Sequence, residues 1–172
     1  MSLILQLTDY INAAFSGLWV QTFEPDEAEK ELVEHGRQSG WTVATWDIAR
    51  GLRLPTGSGV AASEVADPIS LLRGLPALAP SLSSAAGADA GTTLILLPNF
   101  HRYLNSVEIV QVLAEQLTVG KQHRTFIVVL SPVVQIPLEL EKRFVVIDHV
   151  LPTREQLGSI AREILSDAPD SL

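Results

Sequence analysis

The sequence predicts an α/β fold, a three-layer αβα sandwich around a sheet of about five mainly parallel strands. Three observations carry this expectation. Runs such as "TLILL" (93–97) and "TFIVVLS" (125–131) are apolar without alternation, as strands buried on both faces require. Stretches of helical period lie between such runs, the clearest being "SVEIVQVLAEQLTVG" (106–120). The 172 residues are 47% hydrophobic and 19% charged, which suits one folded domain over 1–172 and leaves too little chain for two ordinary ones.

The elements follow in order. Leu3, Leu7, Tyr10, Ile11, Ala14 and Phe15 stand at helical spacing, so residues 3–16 read as an amphipathic N-terminal helix whose stripe packs on the domain. "LWVQTF" (18–23) is a first strand. A helix follows over "EPDEAEKELVEHGRQSG", with Pro25 in its first turn, Asp26, Glu27 and Glu29 at the positive end of its dipole, and Gly40 as its stop. "WTVATWDI" (41–48) is a second strand, rich in Trp, Val and Thr. Asp67-Pro68 opens a short helix to residue 75, and the Pro, Ala, Ser and Gly of 76–91 read as a flexible loop. The third strand is the apolar run 94–97 and the fourth 125–131, on either side of the 106–120 helix. "RFVVIDHVL" (143–151) holds a fifth. The last helix, 153–165, has Thr153 as N-cap and Gln156 three residues on, as in a capping box.

Composition excludes several functions. The net charge of −8 opposes unaided binding to nucleic acid or to an anionic membrane, since both need a basic surface. With no cysteine there are no disulfides, no thiol catalysis and no Cys-ligated metal, which suits a reducing cytoplasm. The apolar N-terminus lacks a basic leader and is interrupted by Gln6, Thr8, Asp9 and Asn12, so a signal peptide is not expected. No apolar stretch approaches the roughly 20 residues of a membrane helix.

Open parallel sheets bind ligands beyond the carboxyl ends of their strands, so each strand exit can be asked what chemistry it offers. A phosphate loop after the first strand needs G-x-x-x-x-G-K-[ST], because glycines let backbone N–H groups wrap the phosphates. This exit is "TFEPDEAEK" (22–30). It has no glycine, Pro25 removes an N–H, and Glu24, Asp26, Glu27 and Glu29 stand where a polyphosphate would lie. Such repulsion costs on the order of several kcal/mol. Lys30 is expected to pair with Glu34 or Asp26 on the helix surface.

After the second strand, Asp47 reads first as a cap on the next turn. A phosphoacceptor or a ribose contact is the alternative. "GLRLPTGSG" (51–59) has neither the spacing nor the position of a dinucleotide loop. After the third strand, Asn99 is a weak ligand and no carboxylate anchors a magnesium ion, while His101 reads as a surface histidine before a base or a metal ligand. The four histidines, 35, 101, 123 and 149, show no metal-ligand spacing. After the fourth strand, Ser131-Pro132 lacks the glycines of a nucleophile elbow and reads as a turn. Lys142 and Arg143 read as a solvated helix end before the fifth strand, with contact to a neighbouring subunit's anionic site as the alternative.

"TLILLPNFHRYL", "TFIVVLSP" and "IPLELEKRFVVIDHVLPTREQLGSIAREIL" together resemble the AAA+ ATPase core across residues 18–165. The last piece is the most specific. It joins Pro137 to Arg143, a strand from Val145 to Val150, Leu151-Pro152, Glu155 and Leu157. The resemblance implies a P-loop-type AAA+ sheet without the small helical lid. It sets Leu94–Asn99 at the Walker B strand, Ser131 at the sensor-1 strand end and Arg143 near an arginine-finger position. The Walker A glycines and lysine are absent, and Pro98-Asn99 replace the Walker B acids. "WVQT" (19–22) and "GWTVATWD" (40–47) are similar to the Walker-less N-terminal domain that precedes the active module in some bacterial and plastid AAA-type ATPases.

Two functions follow as expectations. The first is a non-catalytic module for interaction, oligomerisation or regulation of an ATPase, without cofactor or metal, self-associating or docking on an ATPase module through Arg102 and Arg143 or the N-terminal helix. The second is a small-molecule or nucleotide site built from Asp47, Asn99 and Ser131, with His101 beside them. A receiver-like role for Asp47 is a lesser alternative.

Overall fold

The computed structural model describes residues 2–55, 65–78, 91–150 and 154–167. It contains strands β1 (Gly17–Gln21), β2 (Thr42–Asp47), β3 (Gly51–Arg53), β4 (Thr93–Pro98), β5 (Thr125–Ser131) and β6 (Phe144–Asp148). The helices are α1 (Leu3–Asn12), α2 (Pro25–Ser39), α3 (Pro68–Gly74), α4 (Val107–His123) and α5 (Arg154–Asp167).

All six strands form one sheet in the order β3-β2-β4-β5-β1-β6. The pairings from β2 through to β6 are parallel, and β3 alone runs antiparallel, folding back on β2. Where five strands were expected, six are found among the described residues. The extra one is a three-residue edge, reached through a tight turn at Ile48–Arg50 and started by Gly51 at φ 70°. A strand so short carries no period of its own, so a sequence pattern does not reveal it.

Alternate residues of each strand serve opposite layers. Leu18, Val20, Leu94 and Leu96 face α1 and α2, where Leu7, Ile11, Ala28 and Leu32 are buried. Trp19, Ile95 and Leu97 face α3 and α4 and meet Leu72, Leu113 and Leu117. This double coverage is why the strands read as continuous apolar runs.

The helix ends have local causes. Ser2, Asp67 and Ser106 each accept a backbone N–H as N-caps of α1, α3 and α4. Gly40 ends α2 in the left-handed region, as expected of a glycine stop. α1 ends at Asn12, short of residue 16, because Ala14 takes φ 61° and Phe15 N–H bonds back to Tyr10 O at 3.0 Å. In the segment expected to be a loop, Leu75–Leu78 form a 3₁₀ turn, and 79–90 lie outside the described residues. Thr153, the expected cap of α5, also lies outside them. α5 itself exposes Leu157, Ile160, Ile164 and Leu165. Among the described residues, no helix is long and apolar enough to cross a membrane.

Candidate functional site at the carboxyl ends of the strands

The parallel register sets the strand exits side by side. Pro98 pairs with Leu130, Gln21 with Ser131, and Gln21 with Asp148, so β4, β5, β1 and β6 end level with one another. The groups at these ends bond to each other. Thr22 N–H donates to Ser131 O at 2.9 Å, and Gln21 Nε2 donates to Pro132 O at 3.2 Å. Asn99 N–H donates to Leu130 O at 2.7 Å, and His149 N–H to Gln21 O at 2.9 Å. Thr22 Oγ1 lies 2.8 Å from His149 Nδ1 and also accepts Glu24 N–H at 3.0 Å. His149 Nε2 in turn stands 3.4 Å from Glu31 Oε2.

Ser131 is fully buried, and its hydroxyl ties down the turn that follows. It donates to Val133 O at 2.7 Å and accepts Val133 N–H at 3.2 Å, while Trp19 Nε1 reaches the same Val133 O at 3.1 Å. His101 Nδ1 is 2.9 Å from Ser131 Oγ. With the one hydroxyl proton directed at Val133 O, Nδ1–H of His101 fits as the donor to Oγ. Burial, and then the neighbouring Arg102 charge, hold the His101 pKa below its ordinary 6.5, so the neutral ring is favoured. A serine whose proton is spent on a carbonyl, sealed from solvent, is not placed to attack a substrate.

Asp47 caps the turn after β2. Its Oδ1 accepts Ala49 N–H at 3.0 Å and Arg50 N–H at 2.8 Å; its Oδ2 receives Arg50 Nε at 2.8 Å and Arg53 Nη2 at 3.1 Å. Burial pushes this carboxyl up, but the hydrogen bonds and charge of Arg50 together outweigh it and hold Asp47 below its ordinary 3.8. Arg53 also reaches Glu29 on α2 at 3.4 Å. The fold thus brings Asp47, Asn99 and Ser131 to neighbouring exits, yet Asp47 and Ser131 are already engaged. Beside them, an open cleft of about 430 Å³ is lined by Asp26, Glu29, Lys30, Val33, Arg50 and Pro55. Its two carboxylates and two cations give it no preferred ligand charge.

Lys30 pairs with Glu27 at 2.8 Å, not with Glu34 or Asp26; the i,i+3 partner lies nearest on the helix surface. Arg143 is exposed but anchored, its Nη1 donating to Ala114 O at 3.3 Å and Thr118 Oγ1 at 2.6 Å on α4. Arg102 is exposed, and its guanidinium makes no ion pair among the described residues. The His101–Ser131 and Thr22–His149 contacts span 30 and 127 residues, and no local sequence pattern reports either. Among the described residues, no group of three or more His, Asp or Glu side chains is gathered where it could hold a metal ion.

This sheet, parallel but for one edge and carrying helices on both faces, defines an open three-layer α/β domain. A family model described as the N-terminal domain of SpoVK-like AAA ATPases matches residues 3–149, and the chain belongs to that family. The comparison with curated proteins finds no match.

Proposed function

We propose that this domain is a non-catalytic AAA-like module, acting in the cytoplasm through protein interaction, oligomerisation or regulation of an ATPase. The observation that carries this reading is the exit of β1. It is glycine-free and acidic, and its polar groups are bonded to the neighbouring exits through Gln21–Pro132, Thr22–Ser131 and Thr22–His149. A polyphosphate needs free backbone N–H groups there. It would instead meet Pro25 at the start of α2 and Asp26 and Glu27 in its first turn. These residues do not fit a nucleotide phosphate, and β4 ends in Pro98-Asn99 with no carboxylate for its metal. Membership of a family of ATPase N-terminal domains supports an ATPase module as the natural partner. Of the two arginines considered for contacts, Arg102 has its guanidinium available, whereas Arg143 is committed to α4.

The test is thermal unfolding with ATP, ADP or GTP, with and without Mg²⁺. A nucleotide present at 100 times its Kd would stabilise the fold by about 2.7 kcal/mol, a shift of several degrees. The expected result is no shift. A reproducible nucleotide-dependent rise would end the reading.

A further inference from the structure

Three neighbouring strands present an apolar row at their carboxyl ends. Gln21, Ser131 and Asp148 stand in register across β1, β5 and β6. Two residues beyond each comes a solvent-exposed apolar side chain, namely Phe23 at 75%, Val133 at 38% and Val150 at 70% exposure. The strand ends from which they follow lie side by side in the order β5, β1, β6, about 4.8 Å apart, so one short segment can span all three exits.

The exposure is built by fixed backbone and not by a loose loop. Phe23 lies between two pinned residues, since Thr22 N–H bonds to Ser131 O at 2.9 Å and Glu24 N–H to Thr22 Oγ1 at 3.0 Å. Val133 is held at both its N–H, by Ser131 Oγ, and its C=O, by Trp19 Nε1. His149, just before Val150, is tied to Gln21 O. An aromatic side chain held in water by its own scaffold is the arrangement of a contact surface.

Charge selects the occupant. Glu24, Asp26 and Asp148 flank the row, are exposed, and make no ion pair among the described residues, unlike Glu27, which pairs with Lys30. The chain carries a net charge of −8. A second copy would bring the same carboxylates face to face. We infer that the row of Phe23, Val133 and Val150 docks a partner protein segment whose apolar side chains are flanked by lysine or arginine. This rests on the interaction-module reading and gives it a surface and a partner chemistry.

The experiment uses the whole chain and short fluorescent peptides with one aromatic–aliphatic core, flanked by lysine and arginine, by glutamate, or by serine, read by anisotropy. The basic-flanked peptide is expected to bind and to weaken as salt rises. Phe23→Ala should lower its affinity roughly 30-fold, as truncation of an aromatic anchor does. The double variant Asp26→Asn/Asp148→Asn should lower it less and flatten the salt dependence. Melting curves of the variants serve as the folding control, and Phe23→Ala should melt as the parent does. Absence of binding by all three peptides, equal binding of the glutamate-flanked one, or binding indifferent to Phe23→Ala in a folded variant would each overturn the assignment. Binding indifferent to Phe23→Ala, with no nucleotide effect on melting, removes only this surface; a nucleotide effect removes the reading beneath it.

Discussion

Residues 94–97 and 126–130, the bodies of β4 and β5, are sealed from water on both faces, whereas the chain that leaves them, Pro98-Asn99 and Pro132-Val133, is partly or fully exposed. The bodies are held by apolar area and packing, which are non-directional and worth about 25 cal/mol per Å² removed from water. The exits are held by directed hydrogen bonds such as Ser131–Val133, Thr22–His149 and Asp47–Arg50. A core that carries the stability leaves its strand ends free to change chemistry.

That contrast can be broken at several points. The largest effect belongs to the bodies. Leu96→Ala empties a fully buried position between the sheet and the α1–α2 layer, and should cost about 3 kcal/mol in denaturant unfolding. A loss under about 1 kcal/mol would mean that the core is looser than its burial indicates. At the exits, Ser131→Ala leaves Val133 N–H without its acceptor but keeps Trp19 on Val133 O, so a loss of about 1–2 kcal/mol is expected. A loss as large as that of Leu96→Ala would erase the distinction between the two regions.

The smallest effect is that of pH. His101 has a folded pKa below its ordinary 6.5, so below pH 6.5 the unfolded chain takes up a proton that the folded chain resists. Stability should fall as pH drops from 6.5 toward the folded value, and His101→Gln should flatten that slope. Asp47, held below 3.8, adds stability that is present above 3.8 and lost as pH falls through its own lower folded value. The difference in urea midpoint between the parent and His101→Gln, followed from pH 7 to pH 5, isolates this histidine from the other three. Parallel profiles for the two proteins would contradict the burial assigned to it.

Much of the fold was legible because burial on both faces writes itself into sequence as unbroken apolar runs. Five strands, five helices and the glycine stop at Gly40 follow from such runs, from helical period and from caps. β3 was not legible, since three residues show no period. The end of α1 was misplaced because Ala14 and Phe15 continue the apolar spacing while the backbone has already turned. At the strand exits, the absence of phosphate-binding glycines could be read directly. The bonding that closes the exits could not, because His101 and Ser131, or Thr22 and His149, meet only once parallel register sets their strands level.

The two amphipathic helices at either end of the chain mark the same boundary. α1 and α5 both carry an apolar stripe, yet Leu3, Leu7 and Ile11 are buried while Ile160, Ile164 and Leu165 are exposed. Sequence by itself determined which residues need company: the strand interiors, the helix stripes and the acidic, glycine-free exit of β1. Only the tertiary structure decided which of them found it. Hydrophobic patterning is local and records a demand for burial, whereas the partner that meets the demand, or a hydrogen bond between distant exits, depends on how the strands are ordered in the sheet.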